Sequence, residues 1–270
     1  MKLAILLTAT VKVQVNTGQF TTEQRAEMYA STLRYYVTKI GGEKKRYPII
    51  FCENSDYDLS DLKKEFDSKL DIEWIQVRPD SGVPFVPKKG KGYNEYLLIK
   101  EAVVRSEKLK NCTHFMKITG RYAMLNINSM IKEVERRAED KVFMGDIKDT
   151  KVYDMIGRKN TDSGHWGDSR YWVANVDYYK ANLLNCYEEI DDSQWGTWAE
   201  DYLLNMGRKY RKDKRFIFRF RTQVFFNGIE SGTWTQEELK SGRHRQDSFK
   251  KKTLQCIRQV MRWIFPNFWF

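Results

Sequence analysis

Thr113-His114-Phe115-Met116-Lys117-Ile118-Thr119-Gly120-Arg121-Tyr122 reads as a short strand that breaks at a glycine. It delivers a Lys, a Thr, an Arg and a Tyr within six residues. An α/β sheet presents polar groups at a strand's carboxyl end in this way, and ligands sit at such ends. Lys117 and Arg121 there suit an anion, because guanidinium holds phosphate oxygens bidentately and ammonium acts as a point charge. Strand alternation points Lys117 and Thr119 to one face. An ordinary strand and turn carrying surface charges reads equally well from these ten residues alone.

The flanking sequence supplies the rest of such a sheet. Residues 3–7 and 11–15 are strand-like, with Thr8, Ala9 and Thr10 between them. Residues 21–36 predict a helix, capped by Thr21 or Thr22, with Ala26, Met28, Tyr29, Leu33 and Tyr36 on its apolar face. A buried strand over 47–52 ends in Glu53-Asn54-Ser55; a helix over 59–66 and a strand over 72–77 follow. The β-α-β-α-β alternation predicts a mixed, mostly parallel α/β sheet flanked by helices.

After a loop with Gly82, Pro84 and Pro87 comes Lys88-Lys89-Gly90-Lys91-Gly92, then a helix over 93–107. The glycines let backbone approach a ligand, and lysines at the helix mouth reinforce its positive end. The spacing is not that of a Walker motif. A helix over 128–139 and a strand over 142–144 lead to Asp146 and Asp149. That Asp-x-x-Asp is more simply a solvated strand exit than a metal site.

Beyond residue 150 the pattern is less regular. Trp166, Tyr171, Trp172, Tyr178, Tyr179, Trp195 and Trp198 fall within 33 residues, mixed with Asp and Ser. Aromatic faces pack on the apolar faces of sugar rings while short polar side chains take the hydroxyls, although most such aromatics belong to a core. Glu200-Asp201 opens a further helix, where the dipole stabilises carboxylates in any case.

The four cysteines are far apart with no CxxC pair, which speaks against a zinc site or a disulfide framework and fits a reducing setting. Residues 1–13 read as a first strand and not as a signal peptide. No apolar run reaches the roughly 18 residues of a membrane span. The net charge of +11 is concentrated at one end: residues 206–270 carry 16 Lys or Arg against 5 Asp or Glu, and the preceding 205 residues balance. A basic tract of this kind implies an anionic partner.

Taken together, residues 1–230 resemble a bacterial glycosyltransferase of the GT-A fold, the nucleotide-sugar-dependent kind that builds surface polysaccharides such as capsule or lipopolysaccharide. The resemblance implies one catalytic domain over 1–230, with a nucleotide-binding half (1–125) and an acceptor half (126–230), followed by a basic extension over 231–270. It implies a nucleotide-sugar donor held by Thr8, Ala9, Thr10, Glu53, Asn54, Lys89, Lys91, Asn94, Lys117, Thr119, Gly120, Arg121 and Tyr122. Asp201, or less favourably Glu200, would be the catalytic base of an inverting displacement, and retention stays open if that base is wrong. Trp166, Trp195 and Trp198, with His165 as a further candidate, would face a glycan or lipid-linked acceptor; a loop histidine without a catalytic task is the plainer reading of His165. Most members end the central strand in Asp-x-Asp, which holds a divalent cation. This chain carries a Lys-x-Thr-Gly-Arg-Tyr motif instead, so no cofactor is firmly implied and a manganese or magnesium requirement is left open.

Residues 250–270 combine Leu254, Ile257, Val260, Met261, Ile264 and Phe265 at helical spacing with basic residues and a terminal Phe268-Trp269-Phe270. This describes a helix that lies in an anionic membrane surface, which would put the protein in the cytoplasm, peripheral at the inner face of the membrane. Packing of that helix on its own domain or on a second subunit is the plainer alternative. Two rival functions stay open. One is a basic nucleic-acid-binding protein, using residues 208–215 and the following Phe216, Phe218 and Phe220 with alternating Arg219 and Arg221, although no nucleic-acid motif accompanies them and the Phe/Arg run reads equally as a strand with one face buried. The other is a non-catalytic scaffold at the membrane.

Overall fold

The computed structural model describes residues 1–13, 20–41, 47–78, 81–150, 164–227 and 249–264. A seven-stranded sheet organises them. Its order is β10-β6-β9-β4-β1-β2-β3, formed by β1 (Leu3–Ala9), β2 (Ile49–Glu53), β3 (Ile72–Gln76), β4 (His114–Thr119), β6 (Phe143–Met144), β9 (Tyr171–Asn175) and β10 (Phe216–Ile217). The ladders β3-β2-β1-β4 and β6-β10 are parallel, and β9 alone runs antiparallel to its neighbours β4 and β6. Two small antiparallel pairs complete the strands: β5 (Ala123–Met124) with β11 (Phe226–Asn227), and β7 (Ile147–Asp149) with β8 (His165–Gly167). This is the mixed, mostly parallel α/β architecture that the alternation predicts.

Both faces of the sheet are covered. On one, α1 (Thr22–Ile40), α2 (Ser60–Phe66) and α4 (Ile127–Arg137) pack on Leu3, Ile5, Leu7, Met116 and Ile118. On the other, α3 (Gly90–Arg105) and α5 (Ala199–Lys209) pack on Ala4, Leu6, Phe115 and Trp172. All seven residues of β1 are buried, as a central strand covered on both faces requires. The period of two sends Thr8, Lys117 and Thr119 to the α3 face, a step that decides the chemistry below.

Element boundaries differ from the sequence expectation in physically clear ways. Of the two threonines the sequence offers, Thr21 caps α1: Thr21 and Gln24 exchange side-chain-to-backbone hydrogen bonds in a capping box. Residues 11–13 are not strand, because the chain bends after β1 and the Val11 N–H donates to Glu53 and Ser55 beside the exit of β2. The expected strand's last two residues, 14 and 15, lie outside the described residues. The Phe/Arg alternation after 215 forms only a two-residue strand. Phe216, Phe218 and Phe220 are buried, and so is Arg219. Phe216 stacks on Tyr210 and Phe218, and Phe220 packs on Tyr171. These rings are core, which removes the stacking platform of the nucleic-acid alternative.

The C-terminal helix α6 (Phe249–Ile264) is tied back to the loops that follow β6 and β10. The Arg262 Nη1 donates to Asp146 Oδ1 (3.0 Å) and to the Phe220 carbonyl (2.8 Å), and Gln259 bonds the backbone of Arg221 and Gln223. Residues 228–248 and 265–270, including most of the basic extension's beginning and its aromatic end, lie outside the described residues.

Candidate active site

The carboxyl ends of β1, β2 and β4 meet as a close-packed set of loops. Gly120 is what lets β4 release its chain against β1: its N–H donates to the Thr8 carbonyl at 2.9 Å, and a Cβ there would stand 2.8 Å from that oxygen. Thr10 Oγ1 donates to Asn54 Oδ1 at 2.7 Å, joining the exits of β1 and β2. Ala9 is buried. Glu53 is fully buried and accepts from the backbone of Val11 and Ser55, so it shapes the loop after β1.

Beneath these loops lies a polar knot. Lys117 Nζ sits 2.9 Å from Glu95 Oε1 on α3 and donates to Thr119 Oγ1 (3.0 Å) and the Ser169 carbonyl (2.7 Å). Thr8 and Thr119 donate to the same Glu95 oxygen, at 2.6 and 2.9 Å. Burial disfavours the Glu95 charge, yet the Lys117 ammonium and the three hydroxyl and ammonium donors prevail and hold its carboxyl below the usual range. Lys117 is fully buried. Its charge is consumed inside the fold, which corrects the expectation that it faces a ligand.

Above the knot, three cations converge. Arg121 leaves Gly120 with its guanidinium carbon 4.7 Å from the Tyr122 ring centroid, and its buried Nε meets no acceptor among the described residues. Arg25, from the first turn of α1, donates its Nε to the Thr10 carbonyl (3.0 Å). Burial lowers its pKa, and the neighbouring Arg121 charge adds to the effect. Lys91, at the start of α3, is depressed by desolvation and then by the charges of Arg121 and Arg25. Three neighbouring cations, two of them depressed by burial and by like charge, without an ion-pair partner among the described residues, make an anion site.

The glycines before α3 serve a different contact from the one expected. The Asp192 carboxylate occupies the helix mouth: Oδ2 accepts from the Gly92 N–H at 2.7 Å, and a Cβ at Gly90 or Gly92 would overlap this side chain. Lys89 lies over the Tyr93 ring, 4.6 Å from its centroid. Asn94 is spent on the Val86 and Gly90 backbone. Tyr122 is buried against Phe226. Of the expected donor residues, Arg121 and Lys91 therefore offer free charge, while the others build the frame. Arg25, Glu95, Ser169 and Asp192 were missed. Arg25 and Glu95 carry a readable signal, since each is a charge on the apolar phase of its helix, beside Tyr29 and Leu33 and beside Leu98 and Ala102 respectively.

A cleft of about 390 Å³ is lined by His165, Trp166, Trp195, Trp198, Glu200 and Asp201, and the Asp192 carboxylate, whose charge acts on both Lys91 and Glu200, links it to the cations. The chain thus brings together in one cavity the six residues expected on the acceptor and base side. Trp195 and Trp198 meet edge to face at 5.1 Å, and Trp195 is three-quarters exposed. Glu200 Oε1 accepts from Ser169 Oγ at 2.6 Å, and Ser169 is the residue whose carbonyl holds Lys117. Burial raises the Glu200 pKa, which the Ser169 hydroxyl partly offsets. Asp201 Oδ2 accepts from the Trp198 N–H at 3.1 Å and closes the cap of α5. His165 Nδ1 is 2.8 Å from Asp149 Oδ1, which also takes Arg208.

These pairings bear on a divalent metal. Asp146 is taken by Arg262 and the Tyr171 hydroxyl, and Asp149 by His165 and Arg208. Where the resemblance puts the Asp-x-Asp, the chain presents Lys117, Thr119 and Arg121, with the Arg25 and Lys91 charges close to Arg121. A donor set of cations does not fit a divalent ion.

No family model matches the chain, and no curated protein matches it. Among solved structures the chain is similar to mouse xyloside xylosyltransferase 1 in its apo form (12% identity, 80% of this chain and 84% of that one, TM-score 0.42). It is similar to core-mannan synthase A from Aspergillus fumigatus in its Mn/GDP form (10% identity, 85% and 75%, TM-score 0.46). It is also similar to 4-diphosphocytidyl-2C-methyl-D-erythritol synthase from Anaerococcus prevotii (13% identity, 94% and 96%, TM-score 0.47). Likenesses this distant say nothing of activity; the fold is defined by the chain's own sheet, and the chemistry by its own residues.

Proposed function

We propose that the chain is a glycosyltransferase that moves a sugar from a nucleotide-sugar donor to a glycan hydroxyl. The observation that carries this reading is the unpaired cluster of Arg25, Lys91 and Arg121 at the carboxyl ends of β1 and β4, joined to a tryptophan-lined cleft that holds a carboxylate of raised pKa. The resemblance to surface-polysaccharide enzymes supports the choice of a glycan acceptor.

The cations bind the donor diphosphate and stabilise the charge that develops as it leaves, the task a metal performs elsewhere. The acceptor sugar packs on Trp195 and Trp198. Glu200 is the base: burial brings its affinity for a proton closer to working pH, and Ser169 fixes its orientation. Its carboxylate takes the acceptor hydroxyl proton as the new carbon–oxygen bond forms and the anomeric carbon–phosphate oxygen bond breaks. The nucleoside diphosphate departs with the electron pair, and a single displacement inverts the anomeric centre.

The test is calorimetric titration of UDP-, GDP-, CMP- and dTDP-sugars in EDTA. One of the diphosphate donors is expected to bind without metal, with affinity falling at least about tenfold in Arg121→Ala. Absence of binding by every donor, with or without manganese or magnesium, overturns the reading.

A further inference from the structure

α6 is docked in an unusual sense. Its polar residues Gln259 and Arg262, three apart and so on one face, bond Asp146 and the backbone of Phe220, Arg221 and Gln223. Ile257, Val260, Trp263 and Ile264 stand on the outer side, 54%, 47%, 67% and 60% exposed. A helix held to its domain by polar groups while it shows isoleucine, valine and tryptophan outward is presenting that stripe to something else.

Charge decides between occupants. The sixteen residues of α6 contain Lys250, Lys251, Lys252, Arg258 and Arg262 and no Asp or Glu. A second copy paired on this stripe by a two-fold axis would set one wholly basic helix against another, with no acid on either to answer it. An anionic bilayer supplies both what the stripe and the charges lack: acyl chains for the apolar residues and lipid phosphates for the basic ones. Trp263 is the residue type that favours the headgroup boundary.

We propose that α6 docks the protein on the surface of an anionic lipid bilayer, with Ile257, Val260, Trp263 and Ile264 at the acyl boundary. No helix among the described residues is long and apolar enough to cross a membrane, so the contact is interfacial. The helix also lies beside the tryptophan cleft. Desolvation and then the nearby Arg258 charge lower the pKa of Lys148, whose Nζ is 5.4 Å from the ring centroid of Trp166 in the cleft wall. Docking therefore holds the cleft at the lipid surface; that this cleft receives a sugar acceptor rests on the function proposed above.

The experiment is flotation of the full chain with vesicles of phosphatidylcholine alone and of phosphatidylcholine mixed with phosphatidylglycerol. Binding is expected to the mixed vesicles only and to weaken with salt, by about fivefold for each basic residue that loses its lipid contact. Val260→Glu with Trp263→Glu, both at exposed positions, should lower the bound fraction on the order of tenfold or more while the calorimetric response to nucleotide stays as in the parent. Equal binding to neutral vesicles, or undiminished binding by the double variant, overturns the proposal. So does a dimer in sedimentation equilibrium that the same double variant dissociates, since that identifies a second copy as the occupant. The flotation readout uses no nucleotide, so it fails or succeeds separately from the transferase reading.

Discussion

Lys117 and Arg121 leave the same strand four residues apart and meet opposite fates. Lys117 is drawn to the α3 face, fully buried, and bound to Glu95, Thr119 and the Ser169 carbonyl. Arg121, just past Gly120, sits with Arg25 and Lys91 and keeps its charge unanswered. The knot below fixes where α3 and the strand exits stand; the cluster above is left with charge to offer a ligand. Position near a strand's end is therefore not enough to make a residue part of a binding site, because the supporting layer needs charges of its own.

The largest effect should come where the tryptophan-lined cleft meets this supporting layer. Glu200→Gln is expected to lower the transfer rate by roughly 10²–10⁴, about 3–5 kcal/mol on the barrier, with donor affinity retained. Single-turnover transfer alongside calorimetry separates the two. The raised pKa also sets the pH dependence. A base must be deprotonated, so in the parent kcat/KM should fall as pH drops through the Glu200 pKa, with its acid limb above the ordinary carboxylate range. A limb at ordinary carboxylate pH, or one that survives in the variant, would assign the base elsewhere.

The knot should respond in stability. Glu95→Gln leaves the Lys117 ammonium buried without a counter-charge and should cost about 3–5 kcal/mol in urea unfolding. Because the folded Glu95 pKa is depressed, its contribution is present above about pH 4.3, the unfolded value, and is lost as pH falls through the folded one. Arg121→Ala should do the reverse. Its own charge is relieved from two like charges, so stability should stay within about 1 kcal/mol, while nucleoside diphosphate binding weakens by about 1.5–3 kcal/mol. A variant at Arg121 that unfolds the chain, or one at Glu95 that only weakens nucleotide, would collapse the distinction between the two layers.

Much of this was legible in the sequence, and the reason it stopped where it did is physical. Strand period and helix capping are local, so β1 to β4, a threonine cap at 21 or 22 and the polar exit at Gly120-Arg121 could be read directly. The aromatic and acidic residues of the cleft were legible by type, because tryptophans beside carboxylates suit a sugar. Pairings were not: Glu95 reaches Lys117 from another element, Asp192 fills the mouth of α3 from 100 residues away, and Arg262 answers Asp146 across 116. Each of those pairings changes a charge from available to spent. The apolar-phase position of Glu95 was the one local trace of them, as that of Arg25 was of the cluster above.

The smallest expected effect is the one that sharpens the choice between adjacent acids. Asp201 lines the cleft beside Glu200, but its Oδ2 already accepts the Trp198 N–H that opens α5. Asparagine keeps an oxygen for that bond, so Asp201→Asn should change stability by less than about 0.5 kcal/mol. If capping is its main task, transfer should also stay within a few-fold of the parent, because Glu200 and its Ser169 bond are untouched. A loss at Asp201→Asn as deep as the one at Glu200→Gln would move the base by one residue and leave Glu200 as a buried acid that tunes its neighbour. Alanine at 201 is the control: it removes the cap as well, so a stability loss of about 1 kcal/mol without a matching loss of turnover separates the helix end from the chemistry.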